Sequence, residues 1–177
     1  MNLAEYKKTY EQTRPFLGVF WYLTSLFIFE TLIPFPSILK SKILRMFGAT
    51  IGTGVVIKPN VKIKYPWKLS IGSHSWLGEK VWIDNLAHVV IGENCCISQS
   101  AYILTGSHNY RSEFFDLEIS EITLEDEVWI GARAVVAPGS YLKKGVVLTV
   151  NSVATSILEQ DSIYQGNPAI FKRKRYK

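Results

Sequence analysis

The sequence predicts an all-β fold: a parallel β-helix of about five triangular coils, with helices before it and a C-terminal tail after it. Three observations predict it. An aliphatic residue returns every six positions at Ile51, Ile57, Ile63, then Ile71, Leu77, Ile83, then Ile91, Ile97, Ile103, and after a long interruption at Leu124, Ile130, Val136, Leu142, Leu148 and Ala154. Glycine follows the aliphatic residue at Gly52, Gly72, Gly78, Gly92 and Gly131. The fifth hexad position is often small or β-branched, as at Val55, Ser75, Cys95, Ala101, Val128 and Ser152. A period of six fits neither a helix nor a plain strand. It fits a short strand plus a turn, with three such units closing one coil and the aliphatic side chain pointing inward on each side. Coils stack about 4.8 Å apart. Each open edge is covered by the next coil, so both ends need a cap.

The 177 residues fit one domain, and 47% hydrophobic with 20% charged residues is a globular composition. The expected divisions are an N-terminal helical segment, 1–48, the coil, 49–160, with a loop protruding at 107–121, and a C-terminal turn with a basic tail, 161–177. The two cysteines, Cys95 and Cys96, are adjacent and form no disulfide framework. Cys95 falls on a fifth position and reads as a small buried hydrophobe; Cys96 then faces the other way. This cysteine usage is compatible with the cytosol.

Residues 15–29, PFLGVFWYLTSLFIF, are free of charge. The run is short for a spanning helix, which wants about 20 residues. Glu5 and Glu11 lie upstream and no small-residue cleavage site follows, so a secretory signal is not expected. Apolar residues on all sides argue for packing on protein, including another subunit, or for seating residues 15–36 in a membrane interface. The expected location is the cytoplasm, with contact at the inner face of the membrane as an option. A second helix is predicted at Ser37–Phe47, its buried face formed by Leu39, Ile43, Met46 and Phe47, with Lys40, Lys42 and Arg45 off it and Gly48 as C-cap.

The net charge of +5 is local: five of the last six residues, Lys172 to Lys177, are basic, and without them the bases and acids balance. A nucleic-acid partner is not expected, because such proteins spread positive charge over a face. The tail reads as a solvated end or as a contact for phosphates or an anionic surface.

Between Ile103 and Leu124 lie 20 residues where a regular hexad puts five. The excess leaves the coil as a loop, and long loops on rigid scaffolds often carry function. Its mouth reads Thr105-Gly106-Ser107-His108-Asn109-Tyr110-Arg111, and its body is acidic at Glu113, Asp116, Glu118 and Glu121. Histidine is the usual general base near neutral pH, because its unperturbed pKa lies near working pH. Of the three histidines, His74 and His88 sit within the coil and read as surface or structural residues. His108 sits where the coil gives way to the loop and is the catalytic candidate. Glu79 and Asp84, in the preceding coil, and Tyr110, in the mouth, are candidates for binding substrate. No metal site is expected.

At these residues the sequence resembles the left-handed parallel β-helix acyltransferases with hexapeptide repeats. It is most similar to the colanic-acid-type polysaccharide acetyltransferases and more distantly to the maltose and galactoside acetyltransferases. The matching segments are Arg45-Met46-Phe47-Gly48-Ala49, the stretch Lys62 to Leu69, Ile97-Ser98-Gln99, Leu104-Thr105-Gly106-Ser107-His108, Trp129-Ile130-Gly131-Ala132-Arg133 and Gly166-Asn167-Pro168-Ala169; they span most of the chain from Phe16 to Ala169. The resemblance implies the hand of the coil, acetyl-CoA as acyl donor, a sugar acceptor, a homotrimer with its site between two subunits, and His108 as the base. It also implies that Ala132 and Val150 offer backbone groups to the pantetheine arm, beside Trp129 and Gly131. Val150 departs from the small residue common there. Asn167 lies in the family's turn near the CoA nucleotide, and Lys172 and Arg173 follow closely enough to reach its phosphates.

Three rival readings stand beside this one, and the first is set aside by its histidine spacing. A γ-class carbonic anhydrase needs two histidines five residues apart, whereas the spacings here are 14 and 20. A non-catalytic scaffold module has no need of the histidine-bearing loop mouth. N-acetylation of an amino sugar is not separated from O-acetylation by the hexads.

Overall fold

A computed structural model describes Leu3, Tyr6 and residues 14–176; Glu5, Glu11 and Lys177 lie outside the described residues. Three parallel sheets form the sides of a triangular prism. The first face stacks Thr50–Ile51, Leu69–Ile71, Val89–Ile91, Ile122–Leu124, Tyr141–Leu142 and Ile157–Leu158. The second stacks Val56–Ile57, Trp76–Leu77, Cys96–Ile97, Trp129–Ile130, Val147–Leu148 and Ser162–Gln165. The third stacks Lys62–Ile63, Trp82–Asp84, Tyr102–Leu104, Val135–Val136 and Val153–Ala154. The five expected coils are present, and a partial sixth follows them.

All fifteen aliphatic hexad positions, from Ile51 to Ala154, are buried, and Val55, Ser75, Cys95, Ala101, Val128 and Ser152 are buried beside them. Three residues after the aliphatic one, the backbone repeatedly takes a left-handed conformation: Gly54, Asn60, Asn94, Gly139, Gly145 and Asn151 among others. That turn is what makes the period six: two residues of strand, then a corner.

Two helices cap the N-terminal end. Helix α1 (Pro15–Thr24) runs into a π-helical turn, Ser25–Phe29, and helix α2 (Ser37–Met46) follows. The buried face of α2 differs from the expectation in part: Ile43 and Phe47 pack against the core as expected, but Leu39 and Met46 do not. Lys40, Ser41 and Leu44 are buried, whereas Leu39 is 40% and Met46 82% exposed. The reason is the coil's open edge, which presents unpaired carbonyls and amides rather than apolar surface. Lys40 Nζ donates to Lys58 O at 3.0 Å and to Ile57 O at 3.4 Å. Arg45 donates to Ile51 O and Gly52 O at 2.8 Å each. Ser37 Oγ accepts from Ile57 N, and Trp21 Nε1 donates to Ile63 O. Thr31 O and Phe29 O accept from Asn60 N and Val61 N. A cap needs donors here, so lysine and arginine occupy positions an apolar-stripe reading assigns to solvent. Burial lowers the Lys40 pKa from its ordinary value. Within 15–29, only Trp21, Ser25 and Phe29 are buried.

At the other end, the basic tail is folded. Ile170–Lys174 pairs antiparallel with Ser162–Gln165 on the second face. Arg175 Nη1 ties it down by donating to Glu127 O and Gly145 O. Among the described residues no helix is long and apolar enough to cross a membrane.

Candidate active site

His108 stands on a hairpin that leaves the prism at the corner between the third and first faces. Gly106–His108 pairs antiparallel with Leu117–Ile119, placing His108 opposite Leu117. Thr105 anchors its root. The buried Thr105 hydroxyl donates to Asp84 O at 3.2 Å and accepts from Ala87 N at 2.9 Å. Gly106 allows close approach, since a Cβ there would lie 2.7 Å from Leu86 Cδ1.

The imidazole is half-buried and held on two sides. Its ring stacks on Phe115, with centroids 4.1 Å apart and planes 5° from parallel. Its Nδ1 lies 2.8 Å from Phe115 O. A carbonyl only accepts, so Nδ1 carries the proton. In the neutral ring, Nε2 is then an unprotonated base. The Tyr6 ring meets the imidazole edge-on at 5.8 Å. His74 and His88 are exposed on the coil surface.

The second face carries two grooves along its border with the third. One, of about 430 Å³, is lined by Ser98, Gln99, Trp129, Gly131, Ala132 and the segment Val147 to Val150. Trp129, Gly131, Ala132 and Val150 are thus brought together. Trp129 is half exposed, and its Nε1 donates to Ser98 Oγ at 3.0 Å, which fixes the indole as a wall. The backbone N–H groups of Ala132 and Val150 take no partner among the described residues. The other groove, of about 390 Å³, is lined by Lys58, Trp76, Gly78, Glu79, Cys96, Ile97, Ser98 and Gln99. The two share Ser98 and Gln99 and run end to end.

Outward residues of this face are in register: Val56, Trp76, Cys96, Trp129, Val147, Ile163 and Arg173 form one column. Arg173 therefore lies three strand spacings from Trp129, about 14 Å. Lys172 precedes it on the same exposed strand. Asn167 is exposed in a turn tied to the groove's end, where Gly166 N donates to Ser152 Oγ and Gly166 O accepts from Val153 N.

The remaining candidates lie elsewhere. Asp84 is on the third face beneath α1, in a cavity of about 490 Å³ with Trp21, Lys64, Tyr65 and Trp82. Its carboxylate is already engaged, by Lys64 Nζ at 2.8 Å and by the Tyr102 hydroxyl at 3.3 Å. Burial first, and then the Asp84 charge, push the Tyr102 hydroxyl up to about 12. Glu79 and Asp84 are thus on different walls. Tyr110 is 78% exposed in the loop of the hairpin. His108 and the groove are also apart. The third face lies between their corners and is about five residues wide, roughly 16 Å at strand rise. No imidazole reaches across that distance within one chain.

Sequence reasoning assigned no site role to Ser98, Gln99 or Phe115. The first two lie in a segment matched by the resemblance, Ile97-Ser98-Gln99. Phe115 has no spacing signal; only its conformation, with φ at 53° in a non-glycine residue, marks it. Among the described residues no group of three or more His, Cys, Asp and Glu side chains could hold a metal ion.

No family model matches the chain. It is 39% identical over 136 residues to WcaF of Escherichia coli K12, a protein named for colanic acid biosynthesis acetyltransferase activity, covering 77% of this chain and 75% of that one. In structure it resembles the hexapeptide-repeat acetyltransferase VCA0836 of Vibrio cholerae, with a TM-score of 0.84 and 22% identity over 94% of this chain and 95% of that one. It also resembles a galactoside acetyltransferase solved with coenzyme A, with a TM-score of 0.83 and 20% identity over 98% and 91% of the two chains.

Proposed function

The chain belongs to the hexapeptide-repeat acetyltransferases, and from that premise we propose that it transfers acetyl from acetyl-CoA to a sugar hydroxyl of a polysaccharide or glycan precursor, with His108 as general base. The observation that carries this reading is the Nδ1 contact with Phe115 O, which leaves Nε2 free to take a proton. His108 Nε2 removes the proton of the acceptor hydroxyl as its oxygen bonds to the thioester carbonyl carbon. The tetrahedral oxyanion collapses, the carbon–sulfur bond breaks, and the proton passes to the leaving thiolate. The products are the acetyl ester and CoA.

The groove beside Trp129 suits the pantetheine arm, with the free N–H groups of Ala132 and Val150 as donors to its amides. Arg173 and Lys172 then meet the nucleotide phosphates, and Asn167 borders them. The thioester end points toward Ser98 and Gln99. The acceptor takes the continuing groove, where Trp76 offers an aromatic wall and Glu79 a carboxylate for hydroxyls. Tyr110, from the histidine's own loop, closes over it.

His108 and the groove occupy different corners of one prism, so the complete site needs a second copy. In a homotrimer of parallel prisms, the neighbour's hairpin, which leaves between the third and fourth coils, arrives at the height of Ser98 and Gln99. That is where the two grooves meet. The name of the WcaF relative supports a polysaccharide acceptor. Calorimetry with CoA, acetyl transfer to candidate glycans and the solution mass test the proposal together. A folded protein that fails to bind CoA would overturn it.

A further inference from the structure

Helix α2 crosses the N-terminal end of the prism, so its outer side faces along the coil axis. The bonds from Lys40 and Arg45 to first-coil carbonyls establish this, because carbonyls at the open edge of a parallel stack point along that axis. The outward side of α2 exposes Ile38 (73%), Leu39 (40%) and Met46 (82%), and the segment just before it exposes Leu32 (77%) and Ile33 (57%). Subunits packed side by side bury their flanks and leave such an end plate open. A contiguous exposed apolar patch marks an interaction site.

The charge around the plate selects the partner. Between Arg14 and Lys68 the sequence holds eight basic residues and one acid, Glu30. Glu30 pairs with Lys62, and Asp84 pairs with Lys64. Arg14, Lys42, Arg45 and Lys58 have no carboxylate partner among the described residues; Lys42 is exposed on α2 itself, whereas the Arg45 guanidinium is turned to the coil carbonyls. The acidic side chains cluster instead in the hairpin and in the coil after it. An apolar plate set among unpaired cations matches the anionic surface of a lipid bilayer.

We propose that the exposed plate of Leu32, Ile33, Ile38, Leu39 and Met46, flanked by Lys42, seats this chain end-on upon an anionic lipid bilayer. The docking stands on the plate alone. Its consequence for substrate rests on the acetyltransfer reading: the groove of Trp76 and Glu79 runs to Lys58 in the first coil, next to the plate, while the basic strand Ile170–Lys174 lies at the far end. Seated this way, the protein takes its acceptor from the lipid side, as a lipid-linked glycan, and its CoA from the aqueous side. Parallel subunits put their plates in one plane, and multivalency strengthens weak single contacts.

The test is co-sedimentation of the full chain with vesicles of phosphatidylcholine mixed with phosphatidylglycerol, and with phosphatidylcholine alone. Binding is expected on the anionic vesicles and is reduced by high salt. The double variant Ile38→Glu, Met46→Glu lowers the partition coefficient at least about tenfold, and Lys42→Glu lowers it by about fivefold or more. Both variants keep the solution mass and CoA affinity of the parent. Equal binding of the double variant, or no vesicle binding by the parent, overturns the proposal. Loss of oligomer mass in the double variant also overturns it, by making the plate a contact between copies. CoA titration on the same samples reports separately on the acetyltransfer reading.

Discussion

The Nδ1 atom of His108 lies 2.8 Å from the carbonyl oxygen of Phe115, across a hairpin whose two strands pair in register. This bond chooses the tautomer, and the stacked Phe115 ring chooses the plane of the imidazole. Replacing His108 with Ala therefore removes the proposed base without touching the coil. Turnover is expected to fall about 100-fold or more, with solution mass and CoA affinity unchanged. Near-normal turnover in that variant would take His108 out of the mechanism.

Phe115 acts through its neighbour. Its φ of 53° is costly for an aromatic residue, and the hairpin holds it there. Phe115→Ala keeps the carbonyl but removes the stacked ring. The imidazole gains freedom, and kcat is expected to drop about tenfold while KM for acetyl-CoA holds. Steady-state kinetics separate the two constants; an unchanged kcat removes the positioning role.

The hexads made the prism legible because every inward position from Ile51 to Ala154 is aliphatic, whatever side chain stands outside it. The same logic failed at α2, where the coil edge demands hydrogen-bond donors and so buries Lys40. The N-terminal run 15–29 was legible as apolar but not as an element with one buried stripe, Trp21, Ser25 and Phe29. At the candidate site, His108 stands out by residue type and by its place at the break in the repeat. The hexads already put Asp84 and Glu79 on successive sides of one coil; what they do not show is that α1 covers Asp84 and that Lys64 pairs with it. Register alone reveals that Arg173 shares a column with Trp129, since the tail returns by an antiparallel strand that no hexad announces.

That column carries a prediction about cofactor phosphates. Lys172 and Arg173 make no side-chain hydrogen bond or ion pair among the described residues, whereas Lys174 bonds Gln160 O and Arg175 is anchored. The double variant Lys172→Ala, Arg173→Ala is expected to weaken CoA binding about tenfold or more, from the loss of charged hydrogen bonds. Pantetheine, which lacks the nucleotide, binds parent and variant alike. Calorimetry with the two ligands checks this, and an equal loss for both would place the effect in the coil rather than at the phosphates.

Gly131 sits where two coils touch. A Cβ there would lie 2.6 Å from Val150 N, 2.7 Å from Thr149 C and 2.9 Å from Leu148 O, all backbone. Gly131→Ala must force those coils apart, at a cost of about 1–3 kcal/mol. Thermal unfolding should shift down by several degrees, and CoA should bind more weakly because Val150 moves. A variant with parental Tm and affinity would show that the groove tolerates the extra carbon.

Burial of Cys95 makes the stability of the fold depend on pH. It is 1% exposed, with Sγ 3.1 Å from Glu125 O. Burial above all, aided by the charge of Asp126, pushes its thiol from 9.0 up to about 11. The unfolded chain therefore releases this proton before the folded one does. The stabilisation is complete below pH 9 and is lost as pH rises through about 11, amounting to about 2–3 kcal/mol across the window. Cys95→Ala, matching the small residues at Ala101 and Ala134, removes this dependence. Urea unfolding across the window should show the parent losing more stability than the variant. Tyr102, raised in the same direction, contributes equally to both proteins, so the difference between them isolates the thiol. Parallel pH curves for parent and variant would show that the thiol ionises alike in the folded and unfolded chains.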